Sequence, residues 1–140
     1  MDEIRFVVPG LPPLKNEAKS LLAEGHPQAA RVRALLEAVY RAVGPNFVPF
    51  TGPVGLQVLV EAPEGATVGD ASNMLGGIGD TLQAARSPLV PLDHLGHLAH
   101  VAIYRDDGQI TEIRYRRRLG SEIRYGVRVR LLERRRGMRA

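Results

Sequence analysis

Residues 69–85, GDASNMLGGIGDTLQAA, constrain the fold more than any other stretch of the chain. Met74, Leu75, Ile78 and Leu82 recur at helical spacing. Asp70, Ser72 and Asn73 stand where a helix would begin, and such side chains accept hydrogen bonds from the free N–H groups there. Yet Gly76, Gly77 and Gly79 fall inside the same pattern, and each costs a helix roughly 1 kcal/mol relative to alanine. A helix with three such residues needs something lying close against its backbone. Another helix, a second subunit or a ligand would each serve. Asp80 follows Asp70 by ten residues, about 1000° of helical turn, which leaves the two roughly 80° off a common face.

The chain has 140 residues with 44% hydrophobic side chains, enough for one domain with a core and too apolar for a disordered segment. With no cysteine there is neither a disulfide nor a thiolate metal site. No run of eighteen apolar residues exists, and MDEIRFVV lacks the pattern of a secretion signal. A cytoplasmic protein is the expectation. The net charge of +4 conceals an asymmetry. Residues 1–113 hold 8 basic and 13 acidic side chains, a net of −5, whereas 114–140 hold 11 arginines against Glu122 and Glu133, a net of +9. A basic block on a mildly acidic body points to a polyanion, nucleic acid first.

The periodicity predicts a strand at Ile4–Val8, then a proline-rich loop, GLPPLKNEAKS, presenting Lys15 and Lys19. His26–Val43 reads as an amphipathic helix with Val32, Leu35, Leu36 and Val39 on its apolar stripe. Gly55–Ala62 reads as a strand. Leu92–Tyr104 starts as a helical turn and finishes as a buried strand. Asp106-Asp107-Gly108 is a turn signal. Ile110–Arg117 and Ile123–Leu131 follow as strands, joined as an antiparallel meander, with Arg114 and Arg116 on one face of the first. In the second, Ile123, Tyr125, Val127, Val129 and Leu131 point inward and Arg124, Arg128 and Arg130 outward. The class is α+β: one small domain, a mixed sheet with two main helices packed on it, spanning 1–133, with a disordered basic tail at 134–140.

Two constellations could carry chemistry. Asp70, Asp80, Asp106 and Asp107 are oxygen donors of the kind a hard cation takes, though Asp70 also suits an N-cap and Asp106-Asp107 a turn. His94, His97 and His100 are spaced three apart, so on a helix two of them could hold zinc, whereas on a strand they could not. The outward arginines suit phosphate contact or an ordinary charged sheet edge.

Four pieces in order, GLPPLKN after an early strand, a long helix and strand, DASNMLGGIGDTL, and DDGQITEIRY, resemble the RusA family of Holliday-junction resolvases. That family starts a helix with Asp-x-Asp-Asn, places an Asp-Ala-Leu-like element near its end, and leads a strand with Asp-Asp-x-Gln-Val. Asp70, Asn73, Asp80, Asp106, Asp107 and Gln109 fall on the matching positions, and the match covers about Ile4–Tyr115 with an extra segment between Ala85 and Tyr104. The resemblance implies a homodimeric, Mg²⁺-dependent endonuclease for branched DNA. Asp70 and Asp107 would ligate the metal with Asp106 beside them, Asp80 would assist, and Lys15, Lys19, Arg114, Arg116, Arg124, Arg128 and Arg130 would contact phosphates. Two departures matter: Ser72 replaces the second aspartate, and Gly76-Gly77 stands where the family has a lysine. Asp80, Lys15 or Lys19 could compensate in space. Otherwise the chain is a non-catalytic nucleic-acid or partner-binding module.

Overall fold

In the computed structural model, which describes residues 1–15 and 20–132, strand β1 (Glu3–Pro9) is followed by helix α1 (Ala29–Val43), strand β2 (Val54–Ala62) and helix α2 (Ala71–Leu82). Short 3₁₀ segments at Asp93–Leu98 and Asp107–Gln109 lead into strands β3 (Ile110–Leu119) and β4 (Arg124–Leu131). The class is the expected one: α+β, with two main helices on a four-stranded mixed sheet. No described helix is long and apolar enough to cross a membrane. The expected tail at 134–140 and residue 133 lie outside the described residues.

The strand order is β1-β4-β2-β3, with β4 antiparallel to both neighbours and β3 parallel to β2. This corrects the expected meander, for β3 and β4 are not paired with each other. The burial of the two strands gives the reason. Tyr125, Val127 and Val129 of β4 are buried, as a strand paired on both sides requires. β3 is mostly exposed along its length and takes the edge, where a strand with five consecutive arginine or aromatic positions after Ile113 can stay solvated. Ile123, expected to point inward, precedes β4 and is exposed.

Alternation sorts each strand. Ile4 and Val8, Leu56, Val58 and Val60, and Tyr125, Val127 and Val129 face the helices and are buried. Val32, Leu35, Leu36 and Val39 of α1, with Met74, Ile78 and Leu82 of α2, close the core from that side. The result is two layers, with one sheet face left open.

Two other expectations change. The first helix begins at Ala29, because His26–Gln28 form a turn rather than a first helical turn. Residues 99–104 form no strand: Tyr104 makes only isolated bridges, to Phe50 and Gln83. Its segment is held instead by Ile103 N–H donating to the Leu82 carbonyl and Phe50 N–H donating to that of Ile103.

Candidate active site and arginine face

Gly76 and Gly77 of α2 receive the chain's own proline loop, whereas Gly79 faces Ile110. A Cβ on Gly77 would lie 1.8 Å from the Pro13 carbonyl oxygen, and one on Gly76 would lie 3.3 Å from Lys15 Cβ. Lys15 N–H donates to the Asn73 carbonyl at 3.0 Å, so the loop runs directly along the helix. From the other side Gln28 grips Leu14: its amide nitrogen donates to the Leu14 carbonyl at 2.7 Å, and its oxygen accepts from Leu14 N–H.

This seam delivers Lys15 to the helix. Asn73, Gly76 and Asp80 stand at i, i+3 and i+7, on one stripe. Lys15 passes over Gly76 and its ammonium reaches the Asp80 carboxylate at 2.9 Å. Asp80, by hydrogen bond and charge, holds the lysine pKa above its ordinary value, and the charge of Asp107 adds to this. Asp107 is placed by Gln83, whose amide oxygen accepts from Asp107 N–H at 3.0 Å. Among the described residues the Asp107 carboxylate has no hydrogen-bond or ion-pair partner. Beneath them the Tyr104 hydroxyl is buried and donates to the Gly79 carbonyl at 2.9 Å. Burial first, then the charges of Asp107 and Asp80, push its pKa upward, so the phenol stays protonated.

Lys15, Asp80 and Asp107, from three separate segments, therefore converge at the C-terminal half of α2. Asp70 is at the other end. Its carboxylate caps α2, accepting from Ser72 N–H and from Ser72 Oγ–H, both at 3.1 Å. The helix rise separates it from Asp80 by about 15 Å along the axis. Asp106 also acts as a cap: it accepts from Gly108 N–H at 2.7 Å, while Gln109 returns a bond to Asp106 N–H, a reciprocal capping box. The expected turn there is a capped 3₁₀ turn that launches a parallel strand. Among the described residues no three of His, Asp, Glu and Cys form a group able to hold a metal on their own.

The histidines do not assemble on one helical face. Gly96, at φ 56°, breaks the 3₁₀ segment between His94 and His97. His97 instead packs edge-on to Tyr40 and meets Glu37 at 3.4 Å.

The arginines line the open sheet face, on the opposite side from the helices. Register places Arg5, Arg128, Gln57 and Arg114 in one row across four strands, and Arg130 beside Gly55 and Glu112 in the next. Because β4 is central, Arg124, Arg128 and Arg130 do not guard an edge. Glu61 pairs with Arg118 and Arg124, and Glu3 with Arg5 and Arg128. Arg114, Arg116 and Arg130 have no acidic partner among the described residues. Lys19 lies outside the described residues.

Sequence reasoning missed Gln83, Tyr104 and Gln28. Gln83 was within reach of it: it follows Asp80 by three residues, one helical step on the same side. The other two act through pairings 14 to 25 residues apart, which no local pattern marks. A scan against protein-family models finds no match, and a search of curated proteins finds no significant relative.

Proposed function

We propose that the chain is a RusA-like, Mg²⁺-dependent endonuclease for branched DNA, with its reacting centre at Lys15, Asp80 and Asp107. The observation that carries this reading is the seat of Lys15. The resemblance calls for a lysine on the helix at the place occupied by Gly76-Gly77. In this chain a lysine from the proline loop crosses that same position and sets its ammonium against Asp80.

Magnesium fits the donors. It takes hard oxygens and is commonly held by one or two carboxylates together with substrate phosphate. Among the described residues Asp107 offers a carboxylate without a partner, and the Asp80 carboxylate is engaged by Lys15 alone. When bound, the ion supplies Lewis-acid polarisation of the phosphodiester and a more acidic water. The chain's own groups do the rest. Lys15 keeps its proton, because Asp80 raises its pKa, so it serves as a fixed cation toward charge developing on the scissile phosphate and not as a base. The capping box at Asp106 and the Gln83 bond hold the Asp107 backbone in place.

The open face supplies affinity. Arg114, Arg116 and Arg130, free of acidic partners among the described residues, neutralise backbone phosphates, with Arg124 and Arg128 contributing less because Glu61 and Glu3 already offset them. β3 joins the two surfaces, since it starts just after Asp107 and carries Arg114 and Arg116. A homodimer belongs to the same reading.

The second reading is a binding module without chemistry. The cap role of Asp70 and the position of the arginines across the sheet from Asp80 favour it. Four-way junctions incubated with Mg²⁺ or Mn²⁺ separate the two. Cleavage by the wild type, lost with Asp107→Asn, reduced about 10²-fold or more with Lys15→Ala, and kept with Asp70→Asn, supports the enzyme. Salt-sensitive binding without cleavage supports the module. Absence of binding to junction, duplex and single-stranded DNA alike overturns both.

A further inference from the structure

Beside the Lys15–Asp80 pair lies a cleft of about 230 Å³, walled by residues 20–22 on one segment and 83–92 on another. That is below the roughly 300–1,000 Å³ of a drug-sized ligand pocket, and far too small for a duplex. It has room for one flat ring system of the size of a base.

Its chemistry is two-sided. Leu21, Leu22, Val90 and Leu92 supply apolar surface. The polar groups are mostly donors with capacity to spare. Gln83 spends its oxygen on Asp107 N–H, which leaves its amide hydrogens. Ser20 and Ser87 accept from Leu22 and Leu89 N–H, so among the described residues each hydroxyl hydrogen is available. Arg86 donates through its terminal nitrogens to the Thr81, Ala99 and Val101 carbonyls, while its buried Nε–H has no partner among the described residues. Asp80 is the acceptor at the rim. A ligand for this lining is flat and apolar on its faces, rich in acceptors along its edge, and attached to an anion that Lys15 can hold.

We infer that the cleft receives a single unpaired nucleotide of the DNA, base inward, next to the phosphodiester at Lys15. The inference rests on the nuclease reading and adds to it how the site selects its strand. Enzymes that modify a base draw it out of the stack into a snug pocket, at least cost where the base is already unpaired, and a pocket beside a cleaved phosphodiester can use the same low cost. A junction or other branch provides such a base. The cleft thus makes the site selective for structure, because a fully stacked duplex does not deliver a base to it.

The test uses the full chain and junctions carrying 2-aminopurine at each position flanking the branch, with Ca²⁺ in place of Mg²⁺ to hold back cleavage. The emission of 2-aminopurine rises when the base leaves the stack. The expected result is a several-fold rise at one flanking position on saturation. Ala85→Trp, at an exposed residue on the cleft wall, should abolish the rise while shifting the midpoint of junction binding, followed by anisotropy, by less than about threefold. Ser87→Tyr provides a second block, and circular dichroism verifies that each variant is folded. Binding with no rise at any flanking position, or a rise that survives both blocks, overturns the inference while leaving the nuclease reading intact. No anisotropy change with any DNA removes that reading and this one with it.

Discussion

Gly76 and Gly77 are neighbours in one helix with the same intrinsic cost, yet alanine at the two should have opposite effects. By propensity alone each change stabilises by up to about 1 kcal/mol. At Gly77 the new Cβ falls 1.8 Å from the Pro13 carbonyl oxygen and 2.5 Å from its carbon. Both are backbone atoms, so the loop itself must retreat by more than 1 Å. Overpacking of this kind costs about 1–3 kcal/mol or somewhat more. Retreat also strains the Lys15 N–H bond to Asn73 and the Gln28 bonds to Leu14, each worth about 1 kcal/mol. The net expectation for Gly77→Ala is a loss of about 2–4 kcal/mol, or roughly 10 °C in Tm for a chain of this size. At Gly76 the nearest atom is Lys15 Cβ at 3.3 Å, part of a side chain that can yield a few tenths of an ångström. Gly76→Ala should therefore fall between neutral and about 1 kcal/mol more stable. Urea unfolding of both variants beside the wild type measures the difference. Gly77→Ala as stable as Gly76→Ala would refute the close seam.

Asp70→Ala should cost about 1 kcal/mol through the lost N-cap while Asp70→Asn costs little, because asparagine caps equally well; thermal unfolding compares them. In DNA titrations against salt, Arg114→Ala and Arg130→Ala should each lower the slope of log K against log [salt] by about 1. Arg124→Ala should lower it less, since Glu61 already offsets that charge. Hydrogen bonds from Arg118 and then Arg124 hold the Glu61 pKa below the ordinary glutamate value. A carboxylate with a depressed folded pKa contributes stability above its unfolded pKa and loses it as pH falls through the folded value. Glu61→Gln should flatten the stability curve below about pH 4.5 and leave its slope near neutrality unchanged, as followed by urea unfolding at a series of pH values. Lys15 has the reverse sign: the raised pKa stabilises below the ordinary lysine value of 10.5, and that contribution is lost as pH rises through the folded value. Lys15→Met should remove that alkaline dependence.

Local patterns carried the elements further than the topology. The α2 stripe, the Asp70 cap and the inward set Tyr125, Val127 and Val129 follow from periods of 3.6 and 2, which a sequence displays directly. The demand of the glycines for a close partner was also legible, because a helix does not keep three of them without one. Which partner was not legible: Pro13 and Gly77 meet across 64 residues, and nothing local in either marks the other. The place of β4 between β1 and β2 has the same character. Strict alternation says that one face is buried, but not which strands flank it. Within residues 92–104 the helical start was legible, and the strand expected at the end failed differently. Their apolar residues serve a 3₁₀ segment broken at Gly96 and an irregular stretch fastened by single backbone bonds, so no period describes them. The resemblance paired Asp70 with Asp107, whereas the opening position of Asp70 in α2 is equally that of an N-cap, the role its carboxylate has here.

The seam and the proposed reacting centre are physically one feature. A lysine on α2 itself could have met Asp80 one helical turn away, with no glycine penalty and no need for the loop. The chain instead gives up roughly 2 kcal/mol of helix propensity at Gly76 and Gly77 so that a loop backbone can lie in contact with the helix. In return, the cation at Asp80 depends on tertiary structure: Lys15 is in place only when Pro13 is seated on Gly77 and Gln28 holds Leu14. Whatever lifts the loop separates Lys15 from Asp80 and reshapes the neighbouring cleft in the same movement, since Lys15 and Asp80 line both. Gln28, which touches neither carboxylate, is therefore a positioning residue. If the proposed function holds, its replacement by alanine should depress phosphodiester cleavage beyond what the accompanying loss of stability explains, while the DNA affinity proposed for the arginines across the sheet stays unchanged.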